Sequence, residues 1–217
     1  GWKKVTDRVS LTNAEQFKML YNEQRMNQGG DPYDYTVWNA DTDWQDEMFQ
    51  TGFLTNNTVS ITASGDRSKF YLGLGYVMEE GSIKSEKLNK FTVNLHSEHK
   101  VTDFLRFGFQ VNGVRALYPD AKGVGSALKA APIAPVYDAE SGLLHTLPDF
   151  QRAQVWNPMI EPVLKGAHNK SANYRMAGNI YGELDLMKNL TFKATFSLDY
   201  ASSQSRSYSP LIYVYNP

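Results

Sequence analysis

From residue 54 onward apolar and polar residues alternate in long runs, and this two-residue period limits the chain to strands with two unlike faces. Val59, Ile61 and Ala63 alternate with Thr58, Ser60, Thr62 and Ser64. After a turn at Gly65-Asp66-Arg67, Phe70, Leu72, Leu74, Tyr76 and Met78 alternate with Tyr71, Gly73, Gly75 and Val77. Phe91, Val93 and Leu95 begin a third run, and a turn at Thr102-Asp103 leads to a fourth through Leu105, Phe107, Phe109 and Val111. An irregular segment, roughly 116–170, holds six of the nine prolines. Beyond it Tyr174, Met176, Ile180, Leu184 and Leu186 form a fifth run. Lys188-Asn189 then turns into a sixth, through Leu190, Phe192, Ala194, Phe196, Leu198 and Tyr200.

Alternation alone fits any antiparallel sheet with one wet face. Three features favour a membrane-spanning barrel. Each run is about ten residues or more, where a globular strand has about five to six and a tilted membrane strand needs about 9–11. Aromatics gather at run ends: Phe53, Tyr76, Phe91, Tyr174 and Tyr200 at one end, Phe70, Phe104 and Phe192 at the other. That is the pattern of two girdles flanking an apolar band. Short connections (65–67, 102–103, 188–189) alternate with longer ones (79–88, 116–170), as periplasmic turns alternate with extracellular loops. The expected fold is all-β: an antiparallel transmembrane β-barrel segment. It has six strands, with the start of a seventh at Leu211 to Tyr215. An open sheet leaves edges that lipid cannot satisfy, and the smallest single-chain barrels have about eight strands. The reading is therefore a piece of a larger barrel, consistent with the abrupt start at Gly1-Trp2 and the end at Asn216-Pro217. Two other folds use the same pattern. One is a soluble β-sandwich that binds carbohydrate; the other is a small closed barrel with two strands hidden in 31–53 and 205–217.

Within 217 residues the expected organisation is a loop region over 1–53, four strands over 54–115, a long extracellular loop over 116–170, and two strands and the next loop over 171–217. A helix over about 12–28 is predicted in the first region. Thr12 and Glu15 form its capping box, Ala14, Phe17, Leu20 and Tyr21 its apolar face, and Gly29-Gly30-Asp31-Pro32 its stop. Twenty-two basic against 23 acidic residues exclude a strongly basic nucleic-acid binder. The absence of cysteine excludes disulfides and thiolate chemistry. The longest mainly apolar run, Ala130 to Tyr137, is broken by Pro132 and Pro135, far short of the about 20 residues of a spanning helix. No signal peptide is read at Gly1-Trp2-Lys3-Lys4.

Catalytic and metal chemistry find no support in the residues, and no cofactor is expected. His96-Ser97-Glu98-His99 has metal-binding residue types, but on a strand His96 and His99 point to opposite faces. His145 and His168 belong to no motif. Asp41-Thr42-Asp43 with Asp46 and Glu47 starts like a calcium loop but lacks its glycine and distal glutamate. Gly123-Val124-Gly125-Ser126 lacks the lysine of a phosphate loop and the frame of a nucleophile elbow. The candidate ligand-binding residues are loop aromatics, whose faces stack on sugar rings or other apolar surfaces: Trp38, Trp44, Tyr118, Tyr137 and Trp156.

Several segments, in order along the chain, resemble one family. Asp43-Trp44-Gln45-Asp46 with Thr51-Gly52-Phe53 resembles the segment before the second barrel strand of SusC/RagA-type TonB-linked outer-membrane proteins. Val59 to Gly65, then Phe70 to Tyr76 with Glu80-Gly81-Ser82-Ile83, resemble the strands that follow. Ala131-Pro132-Ile133-Ala134-Pro135-Val136-Tyr137-Asp138 resembles a later extracellular loop, and Leu190-Thr191-Phe192-Lys193 a further strand. The resemblance implies about the first third of a barrel of about 22 strands, following a plug. Plug, TonB-interacting segment and closing C-terminal strand are missing from this sequence. It implies import of glycans, oligosaccharides or peptides across a Gram-negative, Bacteroidetes-like outer membrane. The implied partners are TonB (through the missing N-terminal part), a SusD-like surface lipoprotein and outer-membrane lipid, with no nucleic acid and no catalytic residue. It supplies no residue-by-residue binding motif.

Overall fold

The computed structural model describes residues 1–119, 124–165, 170–208 and 211–217. Strands dominate: β1 (Trp2–Lys3), β2 (Gly52–Ser64), β3 (Ser68–Glu80), β4 (Lys87–Lys100), β5 (Leu105–Pro119), β6 (Leu144–His145), β7 (Lys170–Met187), β8 (Leu190–Arg206) and β9 (Val214–Tyr215). Seven form one antiparallel sheet in the order β1-β2-β3-β4-β5-β7-β8. The six long ones follow the chain as a meander, as the alternation predicts. The sheet is not closed. β1 covers only Gly52 and Phe53 of β2, and the outer edge of β8 has no neighbour in the sheet among the described residues.

Register turns the sequence period into two continuous faces. One row runs Ile61, Leu72, Leu95, Val111, Gly178, Leu198; the adjacent polar row runs Ser60, Gly73, Asn94, Asn112, Ala177, Asp199. The aromatic girdle nearest the long connections is assembled by pairing: Tyr76 sits opposite Phe91, Phe91 opposite Arg115, and Arg115 opposite Tyr174. Tyr76 and Phe91 lie 4.7 Å apart, Arg115 stands over the Tyr174 ring at 5.7 Å, and Trp2 packs on Phe53 at 4.9 Å.

The sandwich needs a second layer over the apolar face, and none is present among the described residues. Ile61, Leu74, Phe91, Ile180, Phe196 and Leu198 all remain exposed. The small closed barrel also fails. Residues 31–53 hold no further long strand, and β9 pairs in parallel with β6, away from the sheet. The predicted seventh strand at Leu211 to Tyr215 is therefore this short β9.

The buried core lies elsewhere. Ala14, Trp38, Trp44, Met48, Ile133, Leu144, Leu147, Met159 and Ile160 form one cluster drawn from residues 14–48 and 127–160. They come from α1 (Ala14–Asn27), α2 (Trp44–Met48), β6 and the segments between, with Ala127 of α3 (Val124–Ala127) in the same cluster, and α4 (Asp149–Arg152) and a π-helix (Glu161–Lys165) pack Phe150 and Leu164 against it. This cap stands at the long-connection end of the sheet. It is fastened to the β3–β4 loop by Lys84 N–H donating to the Met48 carbonyl and by Ser85 Oγ donating to the Pro162 carbonyl at 2.6 Å. Gly52 marks the entry to the wall: a Cβ there would stand 2.6 Å from the Glu80 carbonyl oxygen, so only glycine lets the chain pass.

Helix α1 begins one residue later than Thr12-Glu15 predicts. Asn13 is the N-cap, its side chain accepting from Gln16 N–H while Gln16 reaches back to Asn13 N–H. The next donor, Ala14 N–H, goes to Asp41 Oδ1 at 2.8 Å.

Candidate functional site: the cap and the polar face

Two places carry chemistry: the cap and the polar face of the sheet. Within the cap, Trp38 and Trp44 do not present their rings. Trp44 is 2% exposed and donates from Nε1 to the Ala131 carbonyl at 3.0 Å. Trp38 is 6% exposed, edge-on to His145 at 5.2 Å. Both therefore build the core. A large indole whose N–H finds a buried carbonyl is worth more inside than on a wet surface.

Tyr118, Tyr137 and Trp156 are exposed, Trp156 the most at 62%, but Tyr118 is not in a loop: β5 continues past residue 115 and carries it opposite Ser171 of β7. The neighbours of Trp156 on either side, Val155 and Asn157, are buried and anchor it. Asn157 Nδ2 donates to the Val136 and His145 carbonyls at 3.0 and 2.9 Å, and its Oδ1 accepts from Met159 N–H. Beside Trp156 opens an apolar recess of about 200 Å3, lined by Leu147, Val155, Ile160 and Val214 with Arg152 and Thr146 at its edge. Arg152 donates to Asn216 Oδ1 at 2.8 Å, which ties the β9 segment to the recess. Sequence reasoning did not find Arg152, Thr146 or Asn216, because nothing in their spacing signals that they meet. A second cleft, about 480 Å3, lies between residues 8–13, the start of α2 and residues 128–132.

The acidic run around Asp41 serves the helices. Asp41 accepts from Ala14 N–H, and Asp43 Oδ1 accepts from Gln45 and Asp46 N–H to cap α2. Asp46 pairs with Arg8. No group of three metal-ligating side chains occurs among the described residues. His96 lies on the polar face and His99 on the apolar one, where its Nε2 meets Ser97 Oγ at 2.9 Å. His168 and Gly123 lie outside the described residues, and Val124-Gly125-Ser126 belongs to α3.

Hydrogen bonds hold three carboxylates of the cap below their ordinary range. Tyr33 O–H donates to Asp149 Oδ1 at 2.7 Å, holding that carboxylate below its ordinary range, while burial and the same bond push the Tyr33 phenol up. Asp34 and Asp138 are held low by bonds from Thr36 and Ser141. A depressed carboxylate contributes stability above its unfolded pKa, about 3.9, and loses it as pH falls through the lower folded value. The Tyr33 contribution is present below about pH 10 and is lost only as pH rises through its raised value. Limited proteolysis of the cap should therefore accelerate below about pH 4 and change little from pH 5 to 8. Unchanged cleavage at pH 3 would refute this.

The polar face carries a dense pairing at the tight-turn end. Lys69 pairs with Glu98, Arg106 with Glu183 and Asp185, and Lys193 with Glu183 at 2.7 Å. Farther up, Arg175 grips Asp199 with two bonds of 3.1 and 2.6 Å.

No family model matches the chain. TonB-dependent receptor P3 of Formosa agariphila is 25% identical over 95% of this chain, and TonB-dependent receptor SusC of Bacteroides thetaiotaomicron is 26% identical over 64% of it. The solved RagAB peptide importer, in its closed-closed state, superposes with a TM-score of 0.62 at 17% identity over 77% of the chain. The chain is similar to SusC/RagA-type TonB-dependent receptors. It spans only 21% and 14% of the two curated relatives and 20% of the solved chain, so the open sheet is a segment of such a barrel wall. In outer-membrane barrels generally, an outward apolar band flanked by aromatic girdles meets lipid and the interior is polar. These relatives are receptors and importers, not enzymes.

Proposed function

We propose that this chain is part of an outer-membrane, TonB-dependent importer of glycans, oligosaccharides or peptides in a Bacteroidetes-like Gram-negative bacterium. In this reading the sheet is barrel wall, and the cap is extracellular and meets a SusD-like lipoprotein. TonB acts through a part of the importer outside these residues. The observation that carries the reading is the split between core and sheet. The compact core is gathered at one end, while the apolar face of a single sheet stays exposed between two aromatic girdles. Exposing that face to water forfeits about 25 cal/mol per Å2, whereas hydrocarbon accepts it. The full-length protein containing this chain should fractionate with outer membranes and migrate anomalously when unheated in detergent gels. Recovery as a soluble periplasmic monomer would sink the proposal.

Tyr118, Tyr137 and Trp156 are the residues proposed to touch ligand, Trp156 foremost because it is the most exposed and is flanked by buried, hydrogen-bonded neighbours. Trp156→Ala should weaken ligand binding by the intact importer by about tenfold, equivalent to about 1.4 kcal/mol of lost stacking. Detergent-gel migration should stay normal. Isothermal titration with the ligand is the readout, and an unchanged Kd removes Trp156 from the site.

A further inference from the structure

Four of the five pairings among the long strands are joined by connections of two to six residues: 65–67, 81–86, 101–104 and 188–189. The β5–β7 pairing is different, because residues 120–169 separate the two strands. Loop length cannot fix its register. Alternation fixes only which face is which, and a slip of two residues leaves that intact. Phe109 would then face Gly182 or Gly178 instead of Ile180, still apolar against apolar.

We propose that Tyr181, Gly108 and Glu98, backed by Arg106, Glu183 and Lys193, form a register clamp that selects one β5–β7 pairing from those two-residue slips. Tyr181 sits directly opposite Gly108, and Gly108 directly opposite Glu98. The Tyr181 ring lies across β5 in the space a side chain at 108 would occupy; a Cβ there would stand 2.5 Å from the ring. The phenol thereby reaches over a whole strand to donate to Glu98 Oε2 at 3.2 Å. Lys193 stands 4.4 Å from the same ring and 2.7 Å from Glu183, and Glu183 faces Arg106 across β5–β7. Each slip destroys this fit. Moved one way, Tyr181 faces Gln110 and Gly108 faces Glu183; moved the other, Tyr181 faces Arg106 and Gly108 faces Asn179. In either case the ring meets a side chain, and the reach to Glu98 is lost.

The test uses full-length protein in outer membranes, in a background carrying only the introduced cysteines; this chain contributes none of its own. Gln110→Cys with Asn179→Cys reports the native register. Asn112→Cys with Asn179→Cys, and Gln110→Cys with Ala177→Cys, report the two slips. Adding Gly108→Val should raise slipped relative to native cross-links by about tenfold or more. Where Gly108→Tyr alone gives no heat-modifiable barrel, the reciprocal exchange of Gly108→Tyr with Tyr181→Gly should restore both the band and the native cross-link. Native cross-links unchanged by Gly108→Val, or no rescue by the exchange, would overturn the clamp.

Discussion

Arginine at Ile180 or Leu198 is expected to destabilise the intact barrel by about 2–4 kcal/mol, and arginine at Asn179 or Ser197 by much less. These four positions lie close together on β7 and β8. Asn179 pairs with Ser197, and Leu198 faces Gly178 beside Ile180. Only the face differs. Ile180 and Leu198 are 51% and 54% exposed on the apolar side, between the Tyr174–Tyr200 end and the Phe192 end of the wall. If that side meets hydrocarbon, a guanidinium there loses its water. At Asn179 it joins Gln110, Asn112 and Asp199 around a polar hollow. Urea unfolding of the full-length protein in lipid vesicles, followed by the heat-modifiable band, measures the difference. Equal losses on the two faces would mean that neither meets lipid, and the wall reading would fail.

The wall was legible in the sequence and the cap largely was not, because the two rest on contacts of different range. A strand's alternation and its tight turns are local, so six strands and their order follow from adjacent residues. The cap forms between segments far apart. Trp44 reaches Ala131 across 87 residues, and Thr42 Oγ1 reaches the Ala134 carbonyl across 92. No pattern near Trp38 or Trp44 announces those partners, so an aromatic-rich loop looked like ligand-facing surface when two of its indoles were core. Helix α1 shows the same limit on a finer scale. Thr12-Glu15 and Asn13-Gln16 are both competent capping boxes, and the distant Asp41 carboxylate occupies Ala14 N–H as the second of them forms. The β5–β7 register is the intermediate case. Its faces are readable from alternation, but its exact pairing depends on how Tyr181 fits over Gly108, which only the assembled strands reveal.

Because the core sits in the cap and not under the sheet, the two parts should fail separately. Trp44→Ala should cost the cap about 3–5 kcal/mol, the range for deleting a fully buried large aromatic. It also leaves the Ala131 carbonyl without the indole donor it now has, in a region where an unpaired buried acceptor costs about 1–3 kcal/mol of its own. Met48 and Ile133, both without exposure, belong to the same buried cluster as the indole. A surface change of similar size, Trp156→Ala, should move cap stability by less than about 0.5 kcal/mol. Trypsin digestion of the folded full-length protein distinguishes the outcomes. Cleavage at Lys18, Arg25, Lys129 and Arg152 should accelerate in Trp44→Ala, while the unheated gel band of the barrel persists. The wall's stability comes from pairing among β2, β3, β4, β5, β7 and β8 and from its surroundings, and neither involves Trp44. Loss of the heat-modifiable band together with cap protection would show instead that cap and wall unfold as one unit, with the Met48–Lys84 and Ser85–Pro162 bonds as the coupling between them.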